Sequence, residues 1–153
     1  MSSSYSNIAL YYVDHLAIRQ LIDRYTDVVN NRSWQQLPDI FAREAVWEAG
    51  RPINMKFEGI AAVIKGIPES VEKMELLVQQ ASGVIISVGD DNKAQVRSYL
   101  TEFGRLRENG KGMHAKGMYQ DVVMKEQGEW KFLSRTFILT YFDELPVPGN
   151  TNF

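Results

Sequence analysis

The carboxy-terminal half of the chain holds four successive segments rich in Val, Ile, Thr, Tyr and Phe, separated by short polar breaks. The breaks are Asp90-Asp91-Asn92, Glu108-Asn109-Gly110 and Gln127-Gly128. Such breaks between β-prone segments are typical of hairpin turns. The sequence therefore predicts a meander of strands over residues 82–90, 93–107, 111–126 and 129–142.

The amino-terminal half shows helical periodicity instead. A first helix is predicted over residues 14–30, with Asp14 as its N-cap and Asn30-Asn31 at its end. Apolar residues recur at helical spacing along it and form one stripe, which predicts the face that packs on the core. The stripe consists of Ile18, Leu21, Ile22, Tyr25 and Val29.

The segment between the first helix and the meander predicts two further helices and two short strands. A short helix is expected over residues 33–41 and a strand over 44–48. Residues 57–66 hold a short strand leading into a helix, and Pro68 is expected to begin another helix over 69–80. Helices first and a meander last predict an α+β fold. We expect a curved, mostly antiparallel sheet of five or six strands enclosing three or four helices, as a cone around a central pocket.

Length and composition restrict the class of protein. The 153 residues are predicted to form a single domain, 1–153, with loose termini at 1–7 and 146–153. The formal net charge is −2, from 17 basic and 19 acidic residues, and their mixing along the chain argues against nucleic-acid binding. Neither a signal peptide nor a membrane-spanning segment is apparent, so no membrane association is expected.

The residues that usually carry metals or cofactors are scarce. The absence of cysteine excludes disulfides, thiolate metal sites and a cysteine nucleophile, and it is compatible with a cytoplasmic location. The two histidines, His15 and His114, lie far apart in sequence, so no metal site is expected. Because no nucleotide-binding or hydrolase motif is present either, the sequence predicts no cofactor.

Five segments resemble the SnoaL-like branch of the NTF2-like superfamily, and the resemblance covers about residues 15–140. The segments are IRQLIDRY at 18–25, WQQLPDIFAREAVW at 34–47, NKAQVRSY at 92–99, GMYQD at 117–121 and WKFLSR at 130–135. Within that branch, KGMH at 111–114 and WKF at 130–132 look like the scytalone dehydratases. The resemblance implies the cone fold and a small-molecule pocket. It leaves the activity open, because the family includes dehydratases, isomerases, cyclases, dioxygenase partner subunits and plain binding proteins.

The resemblance also implies where a dehydratase would carry its acid and its two histidines. The acid would fall on Asn30, the first histidine on Gln79 or Gln80, and the second near Phe103-Gly104. None of these residues can perform the acid–base role of its counterpart. The dehydration mechanism of that family is therefore not expected in this chain.

The remaining polar and aromatic residues predict a candidate pocket. Alternation along residues 111–126 places His114, Lys116 and Met118 on one face of a strand, and the dehydratase counterparts of Lys116 and Met118 look into the pocket. We expect one cavity with His114 as its acid or base and five ligand-binding residues, Asn30, Trp47, Gln80, Lys116 and Met118. In the alternative interpretation, His114 lies on the outer face of the sheet and Trp47 belongs to the core. Arg135 pairs with Asp121 inside the sheet or faces a partner.

Two functional classes remain open at this stage. The first is a cofactor-independent isomerase, cyclase or lyase acting on a polyketide-like or aromatic molecule. The second is a non-catalytic ligand-binding or subunit-assembly protein, such as a partner like the small subunit of a dioxygenase. In either class a small hydrophobic or aromatic ligand is expected. We also expect a homodimer formed through the outer sheet face, because the strands at 93–107 and 129–142 carry large apolar residues on both faces.

Overall fold

The computed structural model describes the backbone of residues 2–152 and the side chains of residues 7–152. Three α-helices and six strands follow one another in this part of the chain, with a single 3-10 turn at Trp34–Gln36. The helices are α1 (Ser2–Asn31), α2 (Leu37–Ile40) and α3 (Ile60–Val71). The strands are β1 (Phe41–Ala49), β2 (Met55–Glu58), β3 (Met74–Val88), β4 (Lys93–Leu106), β5 (Gly112–Glu126) and β6 (Glu129–Asp143).

The six strands form one curved, unclosed sheet in the order β2-β1-β6-β5-β4-β3. Every neighbouring pair is antiparallel except β1 and β6, which run parallel. The helices lie against one face of this sheet. The predicted α+β cone with a mostly antiparallel sheet is therefore confirmed.

The three predicted hairpin turns connect β3 to β4, β4 to β5 and β5 to β6. The last of them has Gln127 at φ 50° and Gly128 at φ 83°. Two successive residues with positive φ are the mark of the type I′ turn, whose twist matches that of the flanking strands. Asn92 and Gly110 also have positive φ, at 56° and 69°, which explains why Asn and Gly stand in the other two turns.

Helix α1 is longer than the sequence predicts. It begins at Ser2, so Asp14 is not its N-cap and residues 2–7, expected to be loose, are helical; Met1 lies outside the described residues. The Asp14 carboxylate instead accepts hydrogen bonds from Lys125 Nζ at 2.9 Å and Trp130 Nε1 at 2.8 Å. These bonds tie the middle of α1 to β5 and β6. The predicted stripe is buried against the sheet.

The helix predicted over residues 69–80 is wrong. Pro68 lies inside α3, which ends at Val71, and residues 74–80 belong to β3, where they pair with β4. The sequence MELLVQQ favours a helix locally, but strand pairing and burial override such weak local preferences. The expected helix over 33–41 is also shorter, because it ends at Ile40 and Phe41 begins β1.

Residues 144–152, after β6, have no regular structure, but they are held on the protein. Arg105 Nη1 donates hydrogen bonds to the carbonyl oxygens of Val147 and Gly149, both at 2.7 Å. Of the helices within residues 2–152, none combines the length and the apolar character needed to cross a membrane.

Candidate functional site

A cavity of about 190 Å³ lies between the concave face of the sheet, α1 and α3. Most of its wall is apolar and includes Val29, Ile67, Val71, Met74, Leu77 and Leu100. Its polar lining consists of Tyr25, Trp47, Ser70, Gln79, Glu102 and Tyr119. An apolar cavity with a few polar groups is the usual form of a small-molecule site.

Glu102 is the one carboxylate among the residues that line this cavity. It lies on β4 directly opposite Gln79 on β3, and Gln79 Nε2 donates a hydrogen bond to Glu102 Oε2 at 2.9 Å. The backbone N–H and C=O of Gln79 both bond to Asn30 rather than to β4. Gln79 and Glu102 are therefore a non-hydrogen-bonded strand pair, whose side chains approach each other closely.

The pKa of Glu102 is raised above its ordinary value. Burial raises it by removing water from the carboxylate, and the hydrogen bond from Gln79 opposes this effect only in part. The seven salt bridges between described residues do not include Glu102. A desolvated carboxyl with a raised pKa is suited to exchanging protons with a bound molecule.

Glu102 also borders a second cavity. This second, mainly apolar cavity of about 320 Å³ is lined by Pro52, Ala115, Leu139 and Phe142. Ile53, Glu102 and Met113 line both cavities. Glu102 is therefore shared between the first, inner cavity and the second, outer cavity.

Three aromatic residues form a second polar part of the cavity wall: Tyr25, Trp47 and Tyr119. Trp47 Nε1 donates a hydrogen bond to the Tyr25 hydroxyl at 3.2 Å, and the Trp47 ring stacks on Phe57 with a centroid separation of 5.5 Å. Burial raises the pKa of Tyr25, and it raises the pKa of Tyr119 well above the ordinary value. Both phenols therefore stay protonated and can serve as hydrogen-bond donors.

A buried ion pair between Arg135 and Asp121 lies against the rings of Tyr25 and Tyr119. Arg135 Nη1 donates to Asp121 Oδ2 at 2.9 Å, as one of the two sequence-based alternatives for Arg135 predicts. The guanidinium carbon lies 3.7 Å from the Tyr119 ring centroid, 4.1 Å from that of Tyr25 and 4.4 Å from that of Phe132. Burial raises the pKa of Asp121 to about 7, because lost hydration outweighs the attraction of Arg135.

The structure does not bring the six predicted site residues together. Trp47 lines the cavity, whereas Asn30 does not. The Asn30 side chain instead bonds the backbone of Gln79, donating from Nδ2 to its carbonyl at 2.9 Å and accepting from its N–H at Oδ1 at 2.7 Å. Asn30 thus joins the end of α1 to the edge strand of the sheet, and an aspartate could not supply the donor.

The other four predicted residues lie on the outer face of the sheet. Gln80 is exposed there because, on a strand, it points away from its inward-facing neighbour Gln79. His114 and Lys116 line a surface cleft with Tyr141, which Glu102 also borders, and Met118 shares their face. Their predicted chemical roles stay predictions, but they do not share a cavity with Trp47.

The alternation of inward-facing and outward-facing residues along β5 explains why His114, Lys116 and Met118 lie outside the cone cavity. The inward-facing residues of β5 are the small or apolar ones around Tyr119, together with Asp121: Met113, Ala115, Gly117, Tyr119, Asp121 and Val123. The alternate residues include Lys116 and Gln120, and charged or amide side chains on one side of a strand indicate the solvent face. That signal was present in the sequence, but the family resemblance favoured the other face.

Gln79 and Glu102 were missed by the sequence analysis, although β4 carried a signal for one of them. Val96, Ser98 and Leu100 alternate as the buried face of the strand, and Glu102 continues the same phase. A carboxylate in phase with buried positions is a candidate for an internal site. The family resemblance left Gln79 and Gln80 as alternatives at one position, and the helix expected there gave no strand alternation to choose between them.

Within residues 2–152, no group of three or more His, Asp or Glu side chains is arranged to hold a metal ion. The fold and the cavity define a cone-shaped small-molecule pocket protein. The profile of the SnoaL-like domain family matches residues 12–136, and the chain belongs to this family. No curated protein sequence matches the chain.

Solved structures with the same fold come from several enzymes. A candidate scytalone dehydratase from Novosphingobium aromaticivorans has 21% sequence identity and a TM-score of 0.79, with 90% of this chain and 91% of that chain covered. The hexachlorocyclohexane dehydrochlorinase LinA-type3 from Novosphingobium barchaimii has 18% identity and a TM-score of 0.80, with coverages of 88% and 92%. At these identities the similarity establishes the fold.

Proposed function

We propose that this SnoaL-like protein binds a small, mainly apolar or aromatic molecule in the cone cavity and exchanges a proton with it through Glu102. The reaction would be that of a cofactor-independent isomerase, cyclase or lyase. The observation that carries the proposal is the position of Glu102, a desolvated carboxyl at the junction of the inner and outer cavities.

The proposed chemistry is proton removal from a carbon next to a carbonyl group. The C–H bond breaks, its proton moves to the Glu102 carboxylate, and its electron pair passes into an enolate. The Tyr25 and Tyr119 hydroxyls are the cavity's donors for the resulting oxyanion. Return of the proton to another atom completes an isomerisation, whereas loss of a leaving group completes an elimination.

Hydrogen–deuterium exchange tests this proposal without knowledge of the natural substrate. Single-ring cyclic ketones would be incubated with the protein in deuterium oxide, and deuterium incorporation next to the carbonyl would be followed by NMR. We expect the wild-type protein to accelerate exchange of ketones that bind, and Glu102→Gln to reduce that acceleration about 100-fold or more. Because Glu102 acts in its ionised form, the rate should rise with pH through a pKa above the ordinary glutamate value.

His114→Ala is the matched control, since His114 lies outside the cone cavity. It should exchange at the wild-type rate. Wild-type protein that binds the ketones without accelerating exchange would contradict the proposed proton transfer. Loss of exchange in His114→Ala, with Glu102→Gln unaffected, would instead support the sequence-based assignment of His114.

A non-catalytic binding protein is the second candidate. It is supported by the amides that stand where the family resemblance implies an acid and a histidine, at Asn30 and at Gln79 or Gln80. In the structure the Asn30 side chain has a structural role, because it forms two hydrogen bonds with the Gln79 backbone. Tight ligand binding without any ketone exchange or other turnover would favour this candidate.

We also propose that the protein forms a homodimer through the outer face of its sheet. Large apolar side chains stand exposed on that face, including Ile85 and Tyr99 at 55% and 46% exposure. Exposed apolar surface of this kind is more typical of an interface than of a solvated sheet.

A further inference from the structure

The Gln79 side chain has a hydrogen-bonding capacity that the protein leaves unused. Only 8% of the residue is exposed, and its Nε2 atom donates to Glu102. Its Oε1 atom is buried and accepts no hydrogen bond from any described residue. A buried acceptor without a partner is unfavourable, so the cavity favours an occupant that supplies a donor.

Two donors of the cavity lining, on Trp47 and Ser70, are directed elsewhere. Trp47 Nε1 donates to the Tyr25 hydroxyl, and the Ser70 hydroxyl lies 2.7 Å from the carbonyl oxygen of Gly66, to which it donates. The hydrogen bond between Gln79 and Glu102 fixes the orientation of the amide when Glu102 is ionised. In that state the carboxylate can only accept. Both residues line the cavity, so an occupant there lies beside an amide whose oxygen has no donor and beside a carboxylate.

The size of the cavity limits the occupant further. A cavity of about 150 Å³ with an apolar lining is large enough for benzene, and the inner cavity here measures about 190 Å³. One ring with one or two small substituents would fill it. A ring also suits the aromatic and aliphatic wall formed by Trp47, Leu77 and Leu100.

We infer that the ligand is a single-ring compound with a hydroxyl group, a phenol or a cyclic enol, whose O–H donates to Gln79 Oε1 beside Glu102. This inference rests on the proposed function, because it specifies the ligand of the same cavity. Gln79 is then the residue that selects hydroxylated rings over plain hydrocarbons. An enol hydroxyl held there would also be in place to exchange its proton with Glu102.

The test compares two probes of nearly the same shape, p-cresol and toluene, by isothermal titration calorimetry. Dissociation constants would be measured for the wild-type protein, Gln79→Met and Gln80→Met. Met keeps the length of the side chain and removes the acceptor, and Gln80 provides the same substitution on the outer face. We expect the ratio of the p-cresol to the toluene dissociation constant to rise about tenfold in Gln79→Met, and to stay unchanged in Gln80→Met.

The outcomes separate this inference from the function on which it rests. An unchanged ratio in Gln79→Met, with both probes still binding, would overturn the hydroxyl selection and leave the small-molecule cavity supported. Failure of the wild-type protein to bind either probe would overturn the single-ring ligand class, and with it the proposed function.

If Gln79→Met does not fold, a comparison of two probes on the wild-type protein tests the inference instead. In 4-fluorotoluene an acceptor replaces the donor of p-cresol. The binding free energy of each compound would be corrected for its transfer free energy from water into cyclohexane. After this correction we expect p-cresol to bind more tightly than 4-fluorotoluene. If p-cresol binds as tightly as 4-fluorotoluene or more weakly after the correction, the inference is overturned.

Discussion

Arg135 is a charged side chain held almost entirely by aromatic rings. It is 1% exposed, its guanidinium contacts the rings of Tyr25, Tyr119 and Phe132, and Asp121 is its ionic partner. A planar guanidinium can stack on several rings at once, whereas an ammonium cannot. Because two of these rings line the cavity, Arg135 determines part of the shape of the site from beneath it.

Arg135→Lys should therefore destabilise the protein although it keeps the charge. We expect the free energy of unfolding to fall by about 2 kcal/mol or more, from lost stacking in a desolvated position. Arg97→Lys makes the same change on the exposed outer face, and it should stay within about 0.5 kcal/mol of wild type. Urea unfolding monitored by circular dichroism measures both; equal effects of the two substitutions would contradict the role given to the rings.

Glu102 should make the folded protein less stable as the pH rises. Its pKa is raised in the folded state, so its contribution to stability is complete below the unfolded pKa and is lost as pH rises through the folded pKa. Glu102→Gln cannot ionise. Its free energy of unfolding should therefore increase relative to wild type as pH rises above the unfolded pKa of Glu102.

Glu75 provides a control of opposite sign. The hydrogen bond from Arg105 lowers the pKa of Glu75, so Glu75 stabilises the fold above its unfolded pKa and loses that effect as pH falls. Glu75→Gln should consequently lose stability relative to wild type as pH rises toward the unfolded pKa of Glu75, and the difference should stay constant above it. Urea titrations at several pH values measure both differences, and parallel pH curves for wild type and Glu102→Gln would refute the raised pKa.

At the level of elements, one amide supplies both side-chain hydrogen bonds between the described residues of α1 and β3. Both hydrogen bonds of the Asn30 side chain go to the Gln79 backbone on the free edge of the sheet. Without Asn30, a backbone donor and a backbone acceptor at a part-buried position would lose their partner. Edge strands are usually protected by such contacts.

Asn30→Ala should lower the free energy of unfolding by about 1–3 kcal/mol, because it leaves those backbone groups unpaired. Asn31→Ala is the neighbouring control, since it removes an exposed bond to Asp27 only, and should cost about 0.5 kcal/mol or less. Hydrogen exchange at the Gln79 amide gives a local readout and should accelerate in Asn30→Ala alone. Unchanged protection of that amide would show that Asn30 does not hold the strand.

The strands and helices differ in how far the sequence predicts them. The hairpin breaks at Asp90-Asp91-Asn92 and Gln127-Gly128 act locally, through residues that tolerate positive φ, and both turns form as predicted. Residues 74–80 could not be assigned from local pattern, because pairing with β4 fixes them as a strand. That one error hid Gln79, and with it the partner of Glu102.

On the scale of the whole molecule, the sequence predicts the architecture better than the site. The cone follows from the order of helices and hairpins, which is a pattern spread over the entire chain. The site depends on which face of each strand turns inward, and a shift of one residue reverses it. For this reason the expected cavity included His114 and Lys116, which lie on the outer face of β5, whereas Trp47 does line the cone cavity.

The helices cover one face of the sheet only, which leaves the outer face for a second copy of the chain. We predict that light scattering at micromolar concentration gives twice the chain mass of 17.5 kDa. Tyr99→Lys places a charge on that face and should yield monomers. Tyr12→Lys is the control: Tyr12 is exposed on α1, away from the sheet, so this variant should remain dimeric. A monomeric wild type, or dissociation by Tyr12→Lys with Tyr99→Lys still dimeric, would contradict a dimer through the sheet.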